Sequence, residues 1–448
     1  MDLTAEQRTI VTTAMNEEGI LGVAVAIVKD GQVVASEGFG YRALDGKLPM
    51  TPNTVSPICS LTKSITGVAV MQLVEDGKIS LDEPVVSYLP HFRTEDESAS
   101  RKITPRMLLS HKSGMGRTGH QSRMYEEVIP YKDRADLVSR LAEVKLQARP
   151  NATWSYCNEG YVVLGHLVET LSGESLDRCF QECVFDALGM KETSTSFAEW
   201  RESENRSHTY FKSGDGYEET RLPEIYDIYL STGGISSTAY DIARYQIATM
   251  DYACSPLLTA GSLDQMHTVS MPFGDTGWGW GLGWSIGWIG DRKVVSHAGG
   301  LPGVATYSLM VPSEKIGVAV ITNLEGAGVG ILAEELAGTV LGEPLYRKST
   351  TAPLPFRTCY RITEADLAQY AGAYRGRDAD AVVQLEDGLL GITFEESDHD
   401  PDEELCKSVG EDMFLDVNRG SVVHFVRNAK GQVDSLLSGG NKFWRARI

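Results

Sequence analysis

Apolar residues run almost unbroken over residues 20–28 and stop at Lys29-Asp30-Gly31, after which residues 33–38 resume an extended pattern. A short apolar run closed by Asp-Gly predicts a buried strand entering a hairpin. The segment before it reads as a helix. From Ser60 to about Met250 the pattern changes to helix and loop: Ile65, Val68, Ala69 and Leu73 recur at helical spacing ahead of Gly77, a C-cap signal. Residues 161–171 and 240–250 are further helical stretches. Strand signals return at 278–288, 293–297, 305–311 and 316–321, and a closing helix follows at 332–341. Strands at both ends of a region with a helical middle predict one antiparallel sheet completed by its two termini, with helices packed on it.

The pattern changes again beyond residue 342. Residues 343–362 carry Pro344, Pro353 and Pro355 among Ser and Thr with little periodicity, the signature of a linker. Short alternating segments follow at 381–385, 389–394, 413–417, 422–426, 433–437 and 442–448, punctuated by Asp387-Gly388 and Asn428. Many short strands with tight turns predict a small barrel or sandwich. The expected division is a large domain over 1–342, a linker over 343–362 and a small β domain over 363–448. A chain of 448 residues, several times the usual domain size, accommodates both.

Composition narrows the function classes. Hydrophobic residues make up 42%, enough for two cores. The formal charge of −20 repels phosphate backbones and anionic lipid, which argues against nucleic-acid and membrane-surface roles. The apolar run at 20–28 follows Glu17 and Glu18, unlike the basic start of a signal peptide, and is too short to span a bilayer. Seven scattered cysteines fit reduced thiols in a cytoplasmic protein better than a disulfide framework. Cys179 and Cys183 lie near each other without a Cys/His cluster, so no metal or other cofactor is expected.

The candidate chemistry begins at Ser60-Leu61-Thr62-Lys63, where Pro52 and Pro57 end an extended approach and a helix begins. At the start of a helix, Ser60 and Lys63 share a face one turn apart. A partly desolvated lysine there can lose its proton near neutral pH and accept the serine proton. Tyr156-Cys157-Asn158 sets a phenol and an amide two residues apart, pointing the same way from an extended loop. Tyr156 could shuttle a proton if Lys63 lowers its pKa, and Asn158 could hold a substrate amide. The plainer alternative is a half-buried tyrosine and a helix N-cap. His297-Ala298-Gly299-Gly300 ends a strand with small residues beside which an extended peptide could lie, His297 donating to substrate or intermediate. The plainer alternative there is a strand-end histidine before a Gly turn.

In order, Ser60-x-x-Lys63, Tyr156-x-Asn158 and His297-x-Gly299 resemble the three-motif pattern of serine penicillin-recognising enzymes: class C β-lactamases, D-alanyl-D-alanine carboxypeptidases, D-aminopeptidases and related esterases. The resemblance covers roughly residues 15–340. It extends to Leu81-Asp82-Glu83-Pro84-Val85, the segment Leu108-Leu109-Ser110-His111-Lys112-Ser113-Gly114, and Gly233-Gly234-Ile235-Ser236-Ser237. It implies Ser60 as the acylated nucleophile, Lys63 as its base, Tyr156 as general acid/base, and Asn158, His297 and Gly299 as substrate-binding residues. The oxyanion hole would come from the Ser60 and Gly300 backbone N–H groups. The implied fold is an α+β domain, an antiparallel sheet flanked by helices with an all-helical region, followed by a lipocalin-like β-barrel.

Many β-lactamases carry lysine at the third motif, whereas a histidine is mostly neutral at pH 7 and anchors a carboxylate weakly. The expectation is therefore a hydrolase of peptides or amides containing D-amino acids, working through an acyl-enzyme on Ser60. A carboxylesterase with weak β-lactamase activity and a slowly deacylating receptor-like protein are the alternatives. Gly283-Trp284-Ser285-Ile286-Gly287 matches a nucleophile-elbow pattern, but turn and strand signals follow where the elbow needs a helix, which demotes Ser285. Cys59 and Cys157 flank the candidate residues and read as small buried side chains. The barrel, with His399 and His424, shows no chemistry of its own and is expected to shape access to the site or to mediate a homo-oligomer.

Overall fold

The computed structural model describes residues 2–118, 120, 130–214, 216–220, 222, 227–289, 291–344, 356–377, 379–396, 402–418 and 420–446. Most of the expected linker and His399 lie outside them.

The hairpin at Asp30-Gly31 forms as the sequence predicts. Both turn residues have positive φ, 52° and 73°, the conformation that matches a two-residue turn to the strand twist. The turn joins Gly22–Lys29 to Gln32–Ala43. On its other side Gly22–Lys29 pairs antiparallel with Ile316–Thr322, so strands from the two ends of the large domain meet inside one nine-stranded sheet. Outward from Ile316–Thr322 the order runs through Val304–Val311, Arg292–Leu301, Ser285–Ile289, Gly279–Trp280 and Met271–Pro272.

Gly22–Lys29 is buried on both faces, and its alternation sorts residues by size. Val23, Val25 and Ile27 enter a core with Leu332 and Leu336 of the helix Val329–Leu341 and Val11 of the helix Ala5–Glu18. Ala24, Ala26 and Val28 enter the larger core with Ile242, Ala243 and Tyr245 of the helix Ala239–Met250. The same larger core takes in the helices Thr62–Glu75 and Asn158–Ser172, which carry the first two motifs.

One expected strand is not continuous. The alternation of Trp278, Trp280, Leu282 and Trp284 looks like a single extended run, but the chain turns between Gly279–Trp280 and Ser285–Ile289. Gly283, at φ 84°, donates its N–H to Leu109 O while Leu282 donates to Met266 O, so long-range backbone bonds override the local alternation.

The small domain is a closed barrel of eight antiparallel strands: Gly372–Arg375, Ala379–Glu386, Leu389–Glu396, Asp402–Gly410, Met413–Asp416, Val422–Arg427, Val433–Ser438 and Asn441–Arg445. The sequence pattern showed six of these. It missed Gly372–Arg375, which is short, and Asp402–Gly410, whose inward positions are Glu404, Cys406 and Ser408 instead of aliphatics. The barrel packs Val409, Met413, Leu415 and Val422 against Met271, Phe273 and Trp280, with Trp154 and Tyr156 at the margin.

Candidate active site

Ser60 lies in the tight turn Cys59–Leu61, directly ahead of the helix Thr62–Glu75. Cys59 has φ 54°, a left-handed conformation that costs a non-glycine residue and that surrounding contacts must hold. Those contacts are visible. Ile58 N donates to Ile235 O, Thr306 Oγ1 donates to Ile58 O at 3.1 Å, and Cys59 Sγ donates to Pro57 O.

Lys63 is fully buried, and its Nζ stands 3.1 Å from Ser60 Oγ and 2.7 Å from the acceptor Thr232 O. Burial drives its amine down to about 7; Arg117 adds to the shift, while Cys59, Cys157 and Glu159 oppose it. The pair is thus a serine hydroxyl in contact with an amine that is half unprotonated near neutrality.

The loop before the second helix brings Tyr156 over this pair, with Lys63 Nζ 5.0 Å from the centre of the phenol ring. Proximity to Lys63 does not lower the phenol's pKa. Burial raises it above the ordinary value, and a hydrogen bond with Ser60 offsets only part of that. Tyr156 is therefore a neutral hydroxyl, able to donate, where the sequence reading had allowed for a lowered pKa. Asn158 does not cap the helix Asn158–Ser172. Cys157 does, its Sγ accepting from Gly160 N. Asn158 is buried with Oδ1 lacking a hydrogen-bond partner among the described residues.

His297 sits in the strand Arg292–Leu301, which pairs with Val304–Val311 from Val295 to Leu301. Its other edge pairs with Ser285–Ile289 only as far as Ser296, leaving 297–301 without a strand on that side. His297 Nδ1 lies 2.6 Å from Ala298 O. A carbonyl only accepts, so Nδ1 carries the proton, and burial with the nearby Lys63 holds the ring down to about 3. Nε2 is consequently a bare acceptor, buried and without a partner among the described residues. The expectation that His297 donates to substrate is corrected by this tautomer.

Gly299 also differs from its expected part. A Cβ there would fall 2.4 Å from Thr306 Oγ1, 2.7 Å from Ile58 O and 2.9 Å from Cys59 Cβ. The glycine lets the strand abut the nucleophile turn and is not an opening for a substrate backbone. Gly300, by contrast, is exposed. Ser285 lies in regular antiparallel pairing with Ser296 and Trp280, with no helix after it, so no nucleophile elbow exists there.

Three contributors escaped the sequence reading. His111, in the left-handed region at φ 54°, accepts from Cys157 N at 3.0 Å and accepts from Ser155 N through its carbonyl. Its ring lies against Tyr156 with centroids 4.1 Å apart, fixing the phenol. Trp280 closes the box, edge-on to His297 at 5.3 Å and to Tyr156 at 6.1 Å. The third comes from the barrel. Its hairpin turn, Gly439 and Gly440 at φ 56° and 90°, accepts from Arg117 N and Gln147 Nε2 through Gly440 O. A Cβ on Gly440 would lie 2.3 Å from Tyr156 O, so the barrel rests on the backbone of the second motif. Only His111 had any sequence signal, as part of the 108–114 segment; the other two depend on long-range packing.

Comparison with known proteins agrees with this arrangement. "Penicillin-binding protein 4" of Amycolatopsis lactamdurans is 28% identical over 377 residues, covering 80% of this chain and 94% of that protein. "Protein flp" of Staphylococcus aureus (strain MW2) is 24% identical over 355 residues, covering 77% and 68% respectively. Among solved structures, the octameric penicillin-binding protein homologue from Pyrococcus abyssi superposes with a TM-score of 0.70 at 24% identity, covering 98% of this chain, barrel included, and 99% of that one. The D-amino acid amidase from Ochrobactrum anthropi SV3, complexed with D-phenylalanine, superposes with a TM-score of 0.64 at 20% identity, over 75% of this chain and 99% of that one. The family model described as Beta-lactamase matches residues 8–341, and the chain belongs to that family, as a serine hydrolase with a β-barrel appended.

Proposed function

We propose that the protein hydrolyses peptides or amides containing D-amino acids through an acyl-enzyme on Ser60. The observation that carries the reading is the buried Lys63 amine, 3.1 Å from Ser60 Oγ and held near neutrality. In this mechanism Ser60 Oγ attacks the substrate carbonyl as its proton passes to Lys63. Backbone N–H groups of Ser60 and Gly300 receive the oxyanion. Collapse breaks the C–N bond, and the leaving nitrogen takes the Tyr156 proton, which Lys63 restores. Water then attacks the acyl-enzyme with Lys63 and Tyr156 again handling the proton, and Ser60 is regenerated. Asn158 holds the substrate amide.

The preference for amides over β-lactams rests on His297. A neutral ring gives the antibiotic carboxylate no cation to pair with. The likeness to a D-amino acid amidase supports the substrate class, and the octameric Pyrococcus abyssi relative extends the proposal to a homo-oligomer, which light scattering tests.

The deciding experiment measures hydrolysis of D-aminoacyl anilides, short-chain nitrophenyl esters and a chromogenic cephalosporin, with wild type and Ser60→Ala. The anilides should turn over faster than the cephalosporin, and Ser60→Ala should abolish every rate. Full activity in Ser60→Ala refutes the mechanism. Turnover of esters alone replaces the amidase reading with an esterase.

A further inference from the structure

We propose that His297 selects for substrates that present an amide N–H to its ring, and against those that present a free carboxylate. The inference rests on the acyl-enzyme reading above and adds the polarity of the group bound beside the nucleophile.

Residues two apart on a strand share a face. Gly299 meets Ile58 and Cys59, so the His297 side chain projects on the face that carries the nucleophile turn. Its Nδ1–H is committed to Ala298 O at 2.6 Å, which leaves a lone pair on Nε2, in a residue only 2% exposed, with no donor to meet it among the described residues. Buried polar atoms are nearly always paired, and an unpaired one at a site marks a place for a ligand atom.

Other polar atoms nearby are also unpaired: His111 Nε2 and the indole nitrogens of Trp154 and Trp280. These are donors, because His111 Nδ1 accepts from Cys157 N and an indole can only donate. They sit in a box of aromatic rings, where Trp280 is edge-on to His111, His297 and Tyr156. Ring faces attract N–H groups and repel lone pairs. The box can satisfy the donors, therefore, but not His297 Nε2. Asn158 Oδ1, two residues along from Tyr156, is a second buried acceptor without a donor among the described residues. A substrate N–H would complete either atom, whereas a carboxylate would face a lone pair.

Arg117, at the barrel contact, is an exposed cation beside the site. It is the rival anchor for a carboxylate, and the test separates the two.

D-Alanyl-D-alaninamide and D-alanyl-D-alanine differ only in the terminal group. Their inhibition constants are measured against 4-nitrophenyl acetate hydrolysis, and their binding to Ser60→Ala by calorimetry. The amide should bind more tightly than the acid by about tenfold or more, the penalty of leaving a buried acceptor opposed. His297→Lys should invert that ratio; His297→Gln, which both donates and accepts, should compress it. Arg117→Gln should leave the acid-to-amide ratio as it is. Equal or tighter binding of the acid, a ratio unmoved by both His297 variants, or an acid preference lost in Arg117→Gln overturns the proposal. If Ser60→Ala keeps its esterase activity the mechanism fails, yet the calorimetry still reports on His297.

Discussion

Replacing Lys63 by methionine tests the central physical claim, that burial has made this lysine a base. The shift from 10.5 to about 7 corresponds to about 5 kcal/mol of preference for the neutral amine in the folded protein, at about 1.4 kcal/mol per pH unit. The folded-state value lies below the unfolded one, so between these two values the unfolded chain binds the extra proton. Stability therefore rises with pH across that window, by about 1.4 kcal/mol per unit, and Lys63 adds no slope below it. Methionine fills a similar volume and carries no proton. The deficit of wild type against Lys63→Met should thus be larger at pH 7 than at pH 9, by about 2 kcal/mol in denaturant unfolding. The difference between the two pH values cancels the lost contacts to Ser60 and Thr232. Kinetics give a second reading: kcat/KM for an activated ester should rise about tenfold per pH unit below neutrality and level off above about pH 7, and Lys63→Met should be inactive throughout. Parallel stability profiles for the two proteins, or a rate profile with its midpoint near that of a free lysine, would refute the claim.

Other positions give sharper structural readouts. Gly299→Ala forces a Cβ to within 2.4 Å of Thr306 Oγ1 and into the nucleophile turn; the melting temperature should fall and activity should drop by about a hundredfold, so a fully active variant refutes the packing role. Gly440→Val strains a turn residue at φ 90° against Tyr156 O at 2.3 Å. Lifting the barrel hairpin should lower kcat/KM with little change in melting temperature, and unaltered kinetics would show that the barrel does not position Tyr156. Arg134 is buried between Glu169 and Asp227, so Arg134→Met should destabilise the fold by about 3 kcal/mol in denaturant unfolding, since it leaves the half-buried Glu169 without its cation. Ser285→Ala should leave all rates within about twofold, as expected of a small change at a half-buried strand residue with no part in the chemistry; a large loss would reinstate the elbow.

How much the sequence showed depended on how local the cause was. The strand Gly22–Lys29 was legible because its apolar run and Asp30-Gly31 turn are contiguous, and helix Ala239–Met250 because its periodicity is intrinsic. The Trp278–Trp284 stretch was misread because Leu109 O and Met266 O, far away in sequence, take the N–H groups that a continuous strand would need. The barrel strand Asp402–Gly410 was missed because its inward residues, Glu404, Cys406 and Ser408, include no aliphatic and become strand-like only between partners.

The same division runs through the site. Ser60, Lys63, Tyr156, Asn158 and His297 could be nominated from residue type and spacing, since the reach of a side chain along a helix turn or extended loop is fixed by backbone geometry. Their protonation states could not. That Lys63 is near neutrality, that the Tyr156 phenol is raised, and that His297 offers a lone pair all follow from desolvation and from single partners such as Thr232 O and Ala298 O. Those are sums over neighbours that only the folded chain assembles. Sequence alone therefore nominated the groups that could react; the tertiary structure decided which of them hold a proton, because burial acts on charge and spacing does not.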